Sequence, residues 1–203
     1  MNQNSMIENV IVVDADYADG VAFNLIVNFE RMLGRRIPQA DMARWAECVA
    51  LDGGVRASDP AAATLPETQV VLVHNHQKKQ LDNFTPAVYA TDLNGQAFKG
   101  SLGEFSFCAV SDEGLATKDD LFVDTLQTVA AYKGLKRLMV IPDERLLPQL
   151  RSVLARLDEG DLRITVFTMQ PVTGGNFRQE ILGYSLMQAL GIHADEISAA
   201  LQS

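Results

Sequence analysis

Two pairs of side chains at matched spacing carry the chemistry this chain can do. Asp14-Ala-Asp16 closes one short apolar run, and His74-Asn-His76 closes another. In an extended chain residues i and i+2 point the same way, so each pair offers two ligating groups to one side. Two carboxylates suit a hard divalent cation, and imidazoles widen the choice to transition metals. If the two runs are neighbouring strands, Asp14, Asp16, His74 and His76 form one metal-ligand set. A cation held there would activate water for hydrolysis. Aspartate and asparagine at strand ends are also ordinary turn formers and helix caps, and that reading stays open.

A second group of residues reads as ligand-binding. Asp19 and Gly20 open a predicted helix just beyond Asp16. Thr173-Gly174-Gly175-Asn176 precedes another predicted helix, where glycines leave backbone N–H groups free for an anion. Thr173 or Asn176 as a plain helix cap is the alternative. Asn24 and Asn28 lie one turn apart in an otherwise apolar helix, although asparagine is a poor helix former. They line a polar pocket, touch a second subunit, or mark a strip of solvent exposure. The serines lack a G-x-S-x-G setting, so no nucleophile system is legible and the catalytic residues stay unassigned.

The elements that must position these groups alternate. Val10–Val13 and Val70–Val73 are continuous apolar runs, the mark of strands buried on both faces. Residues 19–33 predict a helix buried around most of its girth and closed by Gly34. A second helix is predicted from Pro38 and Gln39 to Leu51, followed by a long loop over residues 55–68. Asn94-Gly95 between 88–93 and 96–98 predicts a β-hairpin insertion spanning about 84–100. Strands at 105–110, 137–141 and 163–167 follow, with helices between them. The first of these helices opens at Thr117-Lys-Asp-Asp120, which resembles a capping box. Residues 177–190 predict a helix stopped by Gly191, and 195–201 a short final one. Strands joined by helices imply a three-layer α/β fold: a mainly parallel sheet with helices on both faces. Ligands in such sheets bind beyond the carboxyl ends of the strands. The chain reads as a single domain, 1–203.

Composition narrows the partners. The 203 residues include 26 acidic and 17 basic side chains, a net charge of −9. That charge repels phosphate backbones and anionic lipid, so neither nucleic acid nor membrane is an expected partner. The first nine residues lack a basic n-region, and the two cysteines, Cys48 and Cys108, sit in apolar contexts outside any CxxC. Both point to a reducing, cytoplasmic setting.

Two resemblances accompany these readings. Gly20-Val-Ala-Phe-Asn24 between a strand and Leu33-Gly34 resembles the first helix of an uncharacterised bacterial branch of the type 2 peptidyl-tRNA hydrolase-like fold. The order of Val140-Ile-Pro142, a helix and Val166-Phe167 is similar too. That hydrolase carries a lysine after the glycine, where this chain has Val21. Asp14-Ala-Asp16 before a Gly-led helix resembles the first motif of the DHH phosphoesterases, and His74-Asn-His76 stands where their Asp-His-His would be. This second resemblance implies manganese-dependent cleavage of phosphate esters. The expectation is a protein that binds a small ligand, phosphorylated ones included, at the strand ends. A metal-dependent phosphoesterase and a homodimeric assembly protein without catalysis are the alternatives.

Overall fold

The computed structural model describes residues 7–57, 66–157, 160–175 and 177–202. Most of the long loop, residues 58–65, and Asn176 of the glycine segment lie outside the described residues. The strands are β1 (Ile7–Asp14), β2 (Ala40–Asp41), β3 (Glu67–His74), β4 (Phe84–Thr85), β5 (Ala97–Gly100), β6 (Gly103–Ser111), β7 (Arg137–Ile141), β8 (Arg163–Thr168) and β9 (Arg178–Ile181). The helices are α1 (Ala15–Leu33), α2 (Met42–Asp52), α3 (Lys118–Ala130), α4 (Leu147–Leu157), α5 (Leu182–Ala189) and α6 (Ala194–Leu201).

Seven strands form one sheet in the order β5-β6-β3-β1-β7-β8-β9, parallel throughout except β5. The three-layer expectation holds. One core packs α1, α2 and α5 on one face, and a second packs α3 and α4 on the other. The apolar run of β1 divides between them: Ile11 and Val13 enter the first core, Val10 and Val12 the second. Strand succession runs from β1 to β3 and β6 on one side, then crosses to β7 on the other. The carboxyl ends of β1 and β7 therefore flank the topological switch point, where such sheets open a crevice. Val13 is in register with Ile141, which brings Asp14 level with the turn that begins at Pro142.

Several elements differ from the sequence expectation, each for a local reason. Helix α1 begins at Ala15, not Asp19, because the Asp14 carboxylate caps it by accepting from the Tyr17 N–H at 3.0 Å. It is also less buried than its composition implies: Phe23 is 54% exposed, and Asn24 and Asn28 face solvent. Helix α2 starts at Met42, after Asp41 has paired with Thr85 and capped Arg44. The expected hairpin about Asn94-Gly95 is replaced by a π-helical turn over Tyr89–Leu93, which buries Tyr89 and Leu93 four residues apart. The hairpin forms one element later, between β5 and β6, with Phe98 stacked on Phe105 at 4.9 Å. The helix expected at 177–190 splits into edge strand β9 and α5.

Helix α6 is fastened to the end of α1 by charge. Arg35 Nε and Nη2 donate to the two Glu196 oxygens, both at 2.8 Å, and the His193 N–H donates to Glu196 Oε2 at 3.1 Å. The Arg35 hydrogen bonds first, then the His193 N–H, pull the Glu196 pKa down to about 2. A folded-state value below the ordinary one gives stability that is complete above about pH 4.5 and fades as pH falls toward 2. The difference in Tm between the parent and Glu196→Gln should therefore be present at pH 7 and close across that acid window. A gap independent of pH would mean that the ion pair contributes nothing.

Candidate functional site

Six segments meet at the carboxyl ends of the sheet. Asp14 and Asp16 come from the β1–α1 junction and His74, Asn75 and His76 from the end of β3. Tyr89 lies in the π-helical turn, Asp112 after β6, Lys118 at the start of α3, and Asp143 and Glu144 after β7. Because α1 starts at Ala15, Asp16 lies in its first turn, and the extended-chain geometry expected for Asp14 and Asp16 does not apply. The two carboxylates are joined instead through Lys118. Its ammonium donates to Asp14 Oδ1 at 2.6 Å and lies 3.6 Å from Asp16 Oδ2. The Asn75 N–H donates to Asp16 Oδ2 at 3.0 Å, tying the end of β3 to the same cluster.

Three buried atoms here are left without a hydrogen-bond partner: Asp14 Oδ2, Asp16 Oδ1 and the Tyr89 hydroxyl. Among the described residues the fourth such side-chain atom is Arg137 Nε, at the other end of the sheet. Buried polar groups are normally paired, so three orphans in one crevice need a cause. Lys78 Nζ, 3.7 Å from Asp16 Oδ1, is within ion-pair range but too far for a hydrogen bond.

Burial raises the pKa of Asp14, and the Lys118 charge offsets only part of that effect. Tyr17 is raised by burial and then by Glu144; Tyr89 by burial and then by Asp16 and Asp19. Burial also works against ionisation of Asp143, but hydrogen bonds from Arg145 outweigh it and hold its carboxyl below the ordinary value.

The two histidines take separate roles. The His74 ring stacks on Tyr89 at 3.7 Å with 8° between planes, and its Nδ1 meets the Asn75 carbonyl at 3.0 Å. A carbonyl only accepts, so Nδ1 is the protonated nitrogen. His76 Nδ1 pairs with Asp112 Oδ1 at 2.5 Å. Asp112 is buried, which opposes its charge, but the bonds from His76 and from the His76 and Gly114 N–H groups lower its pKa. Among the described residues no three His, Cys, Asp or Glu side chains are arranged to hold a metal ion, so the four expected ligands do not close on one point.

The other expected binding residues are dispersed. The buried Asp19 carboxylate accepts from the Asp82 and Asn83 N–H groups at 2.8–3.2 Å and so clamps that loop. Gly20, Asn24 and Asn28 are exposed on α1. Thr173, Gly174 and Gly175 precede strand β9, not a helix, so no helix N-terminus completes an anion nest there. The Thr173 carbonyl instead accepts from Arg151 on α4 at 2.6 Å.

In the sequence Lys118 is legible only as part of a capping box, and nothing local marks Tyr89, Asp112 or Asp143. Thr117 does cap α3, accepting from the Asp120 N–H at 3.1 Å. The available signal was Lys118 itself: a cation at a helix N-terminus opposes the helix dipole and asks for a compensating anion.

The chain belongs to a family of unknown function, DUF6621, whose model matches residues 3–197. No curated protein and no solved structure matches it. The family match carries neither the peptidyl-tRNA hydrolase nor the DHH resemblance. No helix among the described residues is long and apolar enough to cross a membrane.

Proposed function

We propose that the crevice at the ends of β1, β3 and β7 binds a small phosphorylated molecule through a hydrated divalent cation and hydrolyses its phosphate ester. The observation that supports this reading is the pair of unpartnered buried carboxylate oxygens, Asp14 Oδ2 and Asp16 Oδ1, on two side chains that share one ammonium, with the unpartnered Tyr89 hydroxyl in the field of both carboxylates. Magnesium keeps several waters and takes only one or two carboxylates, with substrate phosphate supplying further oxygens. Asp14 and Asp16 are those carboxylates. With a cation held by those carboxylates, Lys118 would be left to bind a phosphate oxygen. His76, oriented by Asp112 through Nδ1, uses Nε2 to take a proton from the attacking water. The water oxygen bonds to phosphorus and the ester P–O bond breaks; the departing alkoxide takes a proton from solvent water, and His76 returns to solvent the proton it accepted, so the net reaction consumes one water. His74 and Tyr89 form a stacked wall of the site, and His74 and His76 are not ligands.

Thermal unfolding with Mg²⁺ or Mn²⁺, followed by turnover of p-nitrophenyl phosphate and a panel of phosphorylated metabolites, tests the reading. A cation at ten times its Kd raises stability by about 1.4 kcal/mol. Asp14→Asn and Asp16→Asn should each abolish that gain. Absence of any cation-dependent shift, with and without phosphate, would end the proposal. A shift without turnover would leave binding alone.

A further inference from the structure

The amino ends of the strands carry the opposite charge. Arg137 opens β7 and Arg163 opens β8, and the two are direct register partners. Arg178 opens β9 opposite Thr165, two residues along from Arg163, so the three side chains share one face. They line a cavity of about 320 Å³ together with Gly53, Gly54 and Thr165. A separate hollow of about 600 Å³ shares Arg137 and Arg163 with it and is also lined by Lys136 and Asp161.

Some of the local charge is already neutralised. Arg178 is bonded to Glu180 at 2.7 Å and Lys136 to Glu8 at 2.6 Å. Asp52 also lies within the field of Arg178 and Arg56. Arg137 has a long contact to Asn9 Oδ1 at 3.5 Å and a buried Nε with no partner. Arg163 has no side-chain hydrogen bond or ion pair among the described residues. Like charges directly opposite on paired strands destabilise a sheet, and these two stand together in a chain of net charge −9.

We propose that this cavity is a second small-molecule site, in which Arg137 and Arg163 jointly bind a phosphate-bearing anion. The volume suits a small ligand, and adjacent guanidinium groups match the oxygens of a phosphate in bidentate fashion. The site is independent of the strand-end crevice and does not rest on the hydrolytic reading.

Calorimetric titration with pyrophosphate at fixed ionic strength, in chelator so that the acidic crevice holds no cation, tests it. The full chain should bind with a Kd below about 1 mM. Arg163→Ala, at an exposed position, should keep the fold and weaken binding about tenfold or more, and Arg137→Met should do the same. Binding absent at 10 mM, unchanged in Arg163→Ala, or lost in Lys118→Met instead would overturn the proposal. Citrate binding more tightly than pyrophosphate would overturn the phosphate assignment.

Discussion

Lys118→Met should cost about 3 kcal/mol in a cation-free buffer, the low end of what breaking a buried ion pair costs. Asp14 is fully buried and the Lys118 side chain is 15% exposed, with 2.6 Å between their charged atoms. Asp16 is the second carboxylate that the ammonium neutralises. Methionine fills most of the lysine stem's volume, so the loss reports charge and not packing. Two carboxylates would remain with only the half-exposed Lys78 ammonium, 3.7 Å from Asp16 Oδ1, to offset them. Millimolar Mg²⁺ should then recover a large part of the loss, and more than it adds to the parent. Urea unfolding of both proteins with and without Mg²⁺ measures this. A loss below about 1 kcal/mol would class the pair with solvent-screened surface bridges.

Trp45→Ala is expected to be at least as damaging, about 3–5 kcal/mol. Trp45 is 1% exposed, sits 5.0 Å from the Phe84 ring, and donates from Nε1 to Ser185 Oγ at 3.2 Å. Ser185 passes the bond on to the Leu182 carbonyl at 2.9 Å. One side chain thus joins α2, α5 and the short β2–β4 pair. Trp45→Phe retains most of the buried area and leaves Ser185 with its second partner, so it should cost roughly 1–2 kcal/mol. Circular dichroism follows the urea transition of both variants, since the substitution removes the only tryptophan. Equal costs for the two variants would mean that the hydrogen bond, not the ring volume, dominates.

The parts of the fold legible in the sequence were those buried on both faces. Val10–Val13, Val70–Val73 and Leu138–Ile141 have no polar side to confuse the period, and each lies in a strand. Strand β9 escaped because Arg-Gln-Glu-Ile is short, polar and at a sheet edge, where one side of the backbone needs no partner. The π-helical turn escaped because Tyr89 and Leu93 look like strand residues, and only tertiary burial selects their helical spacing. At the site, Asp14 and Asp16 were visible as neighbours, but the lysine that joins them lies 104 residues from Asp14. The Asp112 that orients His76 is likewise 36 residues away, on the far side of β6. Local pattern gives the sheet; the crossover from β6 to β7 gives the crevice, and that is a property of strand order.

Strand β1 is hydrogen-bonded on both sides and closed over on both faces, and Asp14 is its last residue. Backbone amides so enclosed exchange with solvent only when the whole molecule opens. Lys78, Tyr89 and Asp112 lie on segments outside the strands of the seven-stranded sheet. The acidic end of β1 is therefore fixed as firmly as the protein itself, and the groups around it must come to it.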